Sequence, residues 1–282
     1  MNEVLIGVEA LRARLGDPAL RIADVRFDLA DTGRGEAAYR AAHLPGAVYA
    51  HLDRDLSDHA RSGLGRHPLP ESATWSHWLA SVGYAPDQAW VVYDDANASF
   101  SARLWWMLKA IGHRDVRVLD GGFAAWVAAH APVTATVPNF APTAVAIRFD
   151  AAETVDFPEV EALRDDPSRR LVDARAAPRF RGEVEPLDPV AGHVPGALNR
   201  PFADNLDPSG RFKSAAMLRA EWTSLLGGVA PARVVHMCGS GVTACHNLLA
   251  MEHAGLQGST LFAPSWSGWV SDRRRPFALG VD

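Results

Sequence analysis

Residues 234–246 read Val-Val-His-Met-Cys-Gly-Ser-Gly-Val-Thr-Ala-Cys-His, and Cys238 at their centre is the residue best placed to do chemistry. A β-branched run enters the cysteine, Gly-x-Gly follows, and a helix-compatible stretch starts at Val242, so a strand, a tight loop and a helix start are expected. Gly239 and Gly241 let the backbone curl until successive N–H groups point inward as an anion-binding nest. The thiolate is the reactive form of cysteine, and a helix N-terminus favours it. The helix dipole supplies about 0.3–1 kcal/mol and at most about 2, so direct N–H···S hydrogen bonds from Gly239, Gly241, Val242 and Thr243 are expected to add to it. Cys245 falls two helical turns further along, where packing is the expected role.

Other polar residues cluster near strand ends. Ser240 lies in the same loop, either as a hydrogen-bond donor to the sulfur or as a turn serine bonding its own backbone. Arg179 and Arg181 sit in Ala-Pro-Arg-Phe-Arg-Gly, just after Asp173-Ala174-Arg175, and a guanidinium offers a planar fork for a carboxylate. An alanine at 244 removes the arginine that a Cys-x5-Arg phosphatase loop needs, which sets that chemistry aside.

The elements that must position these residues are written twice. Val8-Glu9-Ala10-Leu11-Arg12 returns as Val160-Glu161-Ala162-Leu163-Arg164, Asp17-Pro18 as Asp166-Pro167, Asp24-Val25-Arg26 as Asp173-Ala174-Arg175, and His43-Leu44-Pro45-Gly46-Ala47 as His193-Val194-Pro195-Gly196-Ala197. Aligning Val91-Val92-Tyr93 with Val234-Val235-His236 without a gap brings Trp126 onto Trp269 and puts Asp95 in the place of Cys238. Only the second half therefore carries the nucleophile. Short β-branched strands (90–93, 116–119, 170–173, 234–237, 259–262) alternate with helical stretches such as 101–111 and 242–254, which predicts an α/β fold. Each half is expected to be a mainly parallel sheet with helices on both faces and ligands at the carboxyl ends of the strands. The halves are residues 1–132 and 151–282, joined by a linker, 133–150, in an extended stretch carrying Pro132, Pro138 and Pro142.

Cys-Gly-Ser-Gly-Val-Thr-Ala-Cys resembles the active-site loop of the two-domain rhodanese family, and most closely its 3-mercaptopyruvate sulfurtransferase branch. Thiosulfate-using members typically carry basic residues where this chain has Gly239 and Ser240. The resemblance spans nearly the whole chain and implies two tandem rhodanese-like domains, an N-terminal one without the catalytic cysteine and a C-terminal catalytic one. It implies a covalent persulfide on Cys238, a part for Ser240 in holding or protonating it, and substrate binding by Arg179. A second arginine often follows a Glu-Pro in that branch, whereas here Glu185-Pro186 precedes Leu187. His43, in the repeated His-x-Pro-Gly, is either structural or, if it faces an interdomain cleft, a substrate contact. Trp266 either lines that cleft or packs in the core. Because Asp24/Arg26 and Asp173/Arg175 occur in both halves, they are read as structural ion pairs.

The expected reaction moves sulfur from 3-mercaptopyruvate to a thiol or cyanide acceptor, a thioredoxin-like protein among the candidates, with ping-pong kinetics and without metal or organic cofactor. Thiosulfate:cyanide sulfurtransfer is the alternative on the same scaffold, and a sulfur-carrier or interaction module is the alternative of another class. A net charge of −5 over 282 residues asks for no nucleic-acid or anionic-membrane partner. The N-terminal Met-Asn-Glu-Val-Leu-Ile-Gly lacks the features of a signal peptide, and no later stretch is apolar for about 18 residues, so a cytoplasmic protein is expected.

Overall fold

The computed structural model describes residues 3–164 and 166–280. They divide into two compact units. The first takes in the chain up to Asp58, then Leu69–Asp150 and Ser209–Arg211; the second takes in His59–Pro68, Ala151–Pro208 and the chain from Phe212 onward. The short segment His59–Pro68 thus leaves its own half and packs with the second unit.

In the first unit the order is β1 (Leu5–Ile6), α1 (Val8–Arg12), β2 (Leu20–Asp24), α2 (Arg34–Ala41), β3 (Ala47–Tyr49), α3 (Leu52–Asp55), α4 (Ser72–Ser81), β4 (Ala89–Tyr93), α5 (Ser101–Ala110), β5 (Val116–Leu119) and α6 (Gly122–Ala128). The strands pair in parallel in the order β1-β5-β4-β2-β3. Parallel strands are covered on both faces, and so read as unbroken apolar runs. In β4, Val91 and Tyr93 pack with Leu11 and Trp126, whereas Trp90 and Val92 are buried on the opposite face.

The second unit runs α7 (Phe157–Leu163), β6 (Arg170–Asp173), α8 (Ala177–Phe180), β7 (Leu198–Asn199), α9 (Ala215–Leu226), β8 (Val234–Met237), α10 (Ala244–His253), β9 (Thr260–Leu261) and α11 (Ser265–Trp269). Its parallel order, β7-β6-β8-β9, repeats β3-β2-β4-β5 of the first. Val235 and Met237 pack against Val160, Trp266 and Trp269, which makes Trp266 a core residue. α7 starts on a capping box between Asp156 and Glu159.

The repeated motifs do structural work. Asp24–Arg26 and Asp173–Arg175 are buried ion pairs of 2.6 and 2.7 Å. The partners of His43 and His193 correspond as well. His43 Nδ1 faces the Tyr39 carbonyl at 2.7 Å and His193 Nδ1 faces that of Phe180 at 2.9 Å, each ring stacked on the same aromatic residue. His43 also pairs its backbone with Thr134, as His193 does with Ala278. The proline-bearing stretch after α6 is extended and bound to the first unit: Thr143 donates to the Ala80 carbonyl, Arg21 stacks on Phe140, and Phe149 stacks on Trp75.

On the other face of β8, His236 is fully buried, edge-on to Trp222 and 3.1 Å from Met251 Sδ. Burial lowers its pKa from 6.5 to about 3. The unfolded chain takes up this proton near pH 6.5 while the folded state refuses it, so the group's contribution is intact above 6.5 and is lost as pH falls toward 3. Between pH 6.5 and 5 this removes about 2 kcal/mol. Urea unfolding at pH 7 and pH 5 is expected to show that loss in the wild type, and a His236→Phe variant should lose correspondingly less.

Candidate active site

Cys238 follows β8 directly, at the carboxyl end of a central strand, and is 2% exposed. Its backbone is held on both sides: the Cys238 N–H donates to Ser265 Oγ at 3.1 Å, and its carbonyl accepts from the Trp266 N–H at 3.0 Å. The Gly241 N–H donates to Cys238 Sγ at 3.2 Å, the nest-type contact expected of the loop. Gly241 reaches it with φ +77°, a left-handed conformation that glycine alone adopts freely. Val242 and Thr243 complete the turn, and Thr243 caps α10, so the sulfur lies just ahead of that helix's positive end. Cys245, inside α10, is fully buried, its Sγ on the Gly241 carbonyl at 3.5 Å.

The sheet register corrects the equivalence drawn from the gapless alignment. Asp24 pairs with Tyr93 in β2–β4 as Asp173 pairs with Met237 in β6–β8, so the residue matching Cys238 is Asp94, not Asp95. The carbonyls agree, since Asp94 O accepts from Phe123 as Cys238 O does from Trp266. The loop from Asp94 to α5 is one residue longer than that from Cys238 to α10, and this shifts the alignment. Asp94 is fully buried, and its carboxylate accepts from the N–H groups of Ala96, Ala98, Phe100 and Ser101 at 2.7–2.9 Å. The same turn therefore cradles a carboxylate in the first unit and a sulfur in the second.

Side chains from far along the sequence gather over the Cys238 loop. Ser240 Oγ lies 2.7 Å from Nδ1 of His67, and both residues are buried. A Cβ built on Gly239 would stand 2.9 Å from Nη2 of Arg66 and 3.6 Å from Nη1 of Arg179, so two guanidiniums lie over this residue. Arg179 is held by Glu185 at 2.6 Å and Asp188 at 3.4 Å, and Arg66 is held by Asp188. Burial raises the pKa of Asp188 against the opposing pull of Arg66. Glu185 feels burial too, but the hydrogen bonds from Arg179 and the backbone N–H groups of Leu187 and Asp188 outweigh it and lower its pKa.

Of the residues singled out from sequence, Cys238, Gly239, Ser240, Gly241, Val242, Thr243 and Arg179 are brought together. His43 is not. It is fully buried in the first unit with both ring nitrogens facing backbone carbonyls, those of Tyr39 and Thr136, which makes it a packing residue. Sequence reading missed His67, Arg66, Ser265, Glu185 and Asp188. The string Gly-Arg-His-Pro carried a weak signal at best, for nothing local ties residue 67 to residue 240.

A buried cysteine at the end of a central parallel strand, in a glycine turn ahead of a helix and beneath arginines, is the arrangement of a thiol enzyme for small anions. Comparison with known proteins specifies the family. The profile of the rhodanese-like domain matches residues 7–129. The chain is 46% identical to a Pseudomonas aeruginosa protein named "Probable 3-mercaptopyruvate sulfurtransferase", over 98% of both chains. It is 30% identical to chicken thiosulfate sulfurtransferase, over 93% of this chain and 90% of that one. The crystal structure of Escherichia coli SseA, described for the rhodanese fold of 3-mercaptopyruvate sulfotransferases, superposes with a TM-score of 0.82 at 30% identity, covering 94% of this chain and all of the other. The chain belongs to the rhodanese family of sulfurtransferases.

A Cβ on Gly241 would lie 2.3 Å from the Ala263 carbonyl oxygen, a backbone atom, whereas one on Gly239 meets only the side-chain ends of two arginines. Gly241→Ala is therefore expected to destabilise the second unit by more than about 2 kcal/mol and to abolish sulfur loading. Gly239→Ala should keep its thermal midpoint within a few degrees, as differential scanning calorimetry would show.

Proposed function

We propose that the protein transfers sulfur from 3-mercaptopyruvate to a thiol or cyanide acceptor through a persulfide on Cys238. The Cys238 thiolate attacks the donor sulfur, the sulfur–carbon bond breaks, and its electron pair passes to carbon as the enolate of pyruvate. The proton of the donor thiol ends on that carbon, leaving Cys238–S–S⁻ and pyruvate. The Gly241 N–H then faces the sulfur chain, Arg179 holds the donor carboxylate, and the acceptor removes the outer sulfur in a second step.

The observation that carries the choice of donor is the 2.7 Å contact between Ser240 Oγ and His67 Nδ1 beside the nucleophile. Mercaptopyruvate requires a proton to travel from sulfur to carbon, and a hydroxyl paired with an imidazole is a suitable relay. Thiosulfate transfer releases sulfite and has no such proton to move. Thiosulfate remains the second reading because two guanidiniums stand over a loop whose own residues are neutral, and these suit a dianion.

Among the described residues no helix is long and apolar enough to cross a membrane, and a reactive buried thiol suits a reducing compartment such as the cytoplasm. A thioredoxin-like dithiol would serve as acceptor there.

Intact-protein mass spectrometry after brief exposure to each donor tests the proposal. One added sulfur is expected from 3-mercaptopyruvate at far lower concentration than from thiosulfate, and none in Cys238→Ser. Preferential loading by thiosulfate would transfer the assignment to the second reading. In single-turnover assays Ser240→Ala and His67→Gln are expected to slow pyruvate release by about 10²-fold.

A further inference from the structure

The likeness of the two units extends to the arginine of each Asp-x-Arg motif, and it breaks at one atom. Arg175 donates through Nε and Nη2 to Asp173, through Nη2 to the Gly192 carbonyl and through Nη1 to Glu185, with its guanidinium over Trp266. Arg26 donates in the same way to Asp24 and to the Ala42 carbonyl, with its guanidinium over Phe123. Its Nη1, however, makes no hydrogen bond among the described residues and is not sealed inside the protein.

Arg26 is 3% exposed and lines a cavity of about 220 Å³, so the open Nη1 faces a space where Arg175 meets a carboxylate. Phe27, Gly35, Ala38 and Ala96 wall this cavity. It stands just beyond the carboxyl ends of β2 and β4, the edge at which parallel sheets take their ligands. Gly35 brings α2 against the strand end, for a Cβ there would collide with the Arg26 carbonyl.

The charges on the cavity do not all cancel. Arg34 is paired with Asp28 at 2.7 Å, and Arg26 with Asp24. Asp95, which also lines the cavity, forms no ion pair among the described residues and is left over. Partial burial, and then Asp94, raise its pKa against the more distant pull of Arg26, as expected of a carboxylate without a cation beside it.

We propose that this cavity in the first unit binds a small free α-amino acid, its carboxylate on Arg26 Nη1 and its ammonium on Asp95. A bare anion such as phosphate would gain Arg26 but face Asp95, and a simple amine would leave Nη1 without an acceptor. A zwitterion meets both groups with its own two charges, each in a charge-assisted hydrogen bond. Drug-sized pockets run to roughly 300–1,000 Å³, so this smaller one, walled by alanines and a glycine, suits a side chain of a few atoms. The site shares no residue with the Cys238 loop and does not depend on the function proposed above.

Isothermal titration calorimetry of the full chain with L-alanine, L-lactate and isopropylamine tests the proposal, since lactate lacks the ammonium and isopropylamine lacks the carboxylate. L-Alanine is expected to bind saturably, about tenfold or more tighter than either analogue. Asp95→Asn removes a carboxylate that pairs with nothing in the fold, so it should keep the thermal midpoint and weaken L-alanine binding by about tenfold or more. Ala38→Leu, which fills the cavity from α2, should abolish binding. Arg26 is left in place because its loss would strand buried Asp24, and its part is read from isopropylamine instead. No saturable binding of L-alanine would overturn the proposal. Equal affinity for L-alanine and either analogue would overturn it too, since one of the two charges would then be idle. L-Alanine binding that is unchanged in both Asp95→Asn and Ala38→Leu would belong elsewhere on the chain and would overturn it as well.

Discussion

Where a central parallel strand ends and a helix begins, the N–H groups of the intervening turn have neither a ladder partner nor an intrahelical acceptor, and in a buried loop they need an acceptor from elsewhere. This chain meets that constraint twice. In the first unit the carboxylate of Asp94 takes four such N–H groups. In the second the sulfur of Cys238 takes the Gly241 N–H. The aspartate fills its cradle with a tethered anion, so the N–H groups of the first turn are satisfied within the fold. The cysteine puts a thiol in the corresponding cradle, the group that the proposed function takes as nucleophile.

The charges around the cysteine are arranged by the same logic of prior placement. Buried Asp173 and Glu185 hold Arg175, which also stacks over Trp266, and Glu185 with Asp188 holds Arg179. Asp188 in addition holds Arg66. Long cationic side chains lose considerable rotamer freedom on being fixed. Here that cost is met during folding, when the carboxylates lock the guanidiniums, and not when a substrate arrives. The two guanidiniums over Gly239 are thereby set in place by the fold itself.

The internal repeat made the architecture legible at an early stage. Alternating β-branched runs and helical stretches matched the two parallel sheets, and the paired Asp-x-Arg and His-x-Pro-Gly motifs proved to be buried structural devices in both halves. The equivalence of Asp95 with Cys238 failed by one position, because composition does not reveal on which side of a turn an extra residue is accommodated. Hydrogen-bond register does: Tyr93 and Met237 occupy the same place opposite Asp24 and Asp173.

Local information, carried by spacing and residue type, was sufficient for Cys238, its glycine turn, the flanking strand and helix, and Arg179, since each depends on neighbours a few residues away. The amino-acid sequence by itself therefore determined the fold class, the two-fold repeat and the place of Cys238 in its turn. Only the tertiary structure decided what stands around Cys238. It packed His59–Pro68 with the second unit, so that His67 meets Ser240 across 173 positions of sequence and Arg66 faces Gly239. It also enclosed His43 among backbone carbonyls of its own unit. The physical reason is that such approaches are fixed by the packing of whole elements, by a glycine pressed against the Pro264 carbonyl and a serine bridging two loops, and no local pattern of residues encodes them.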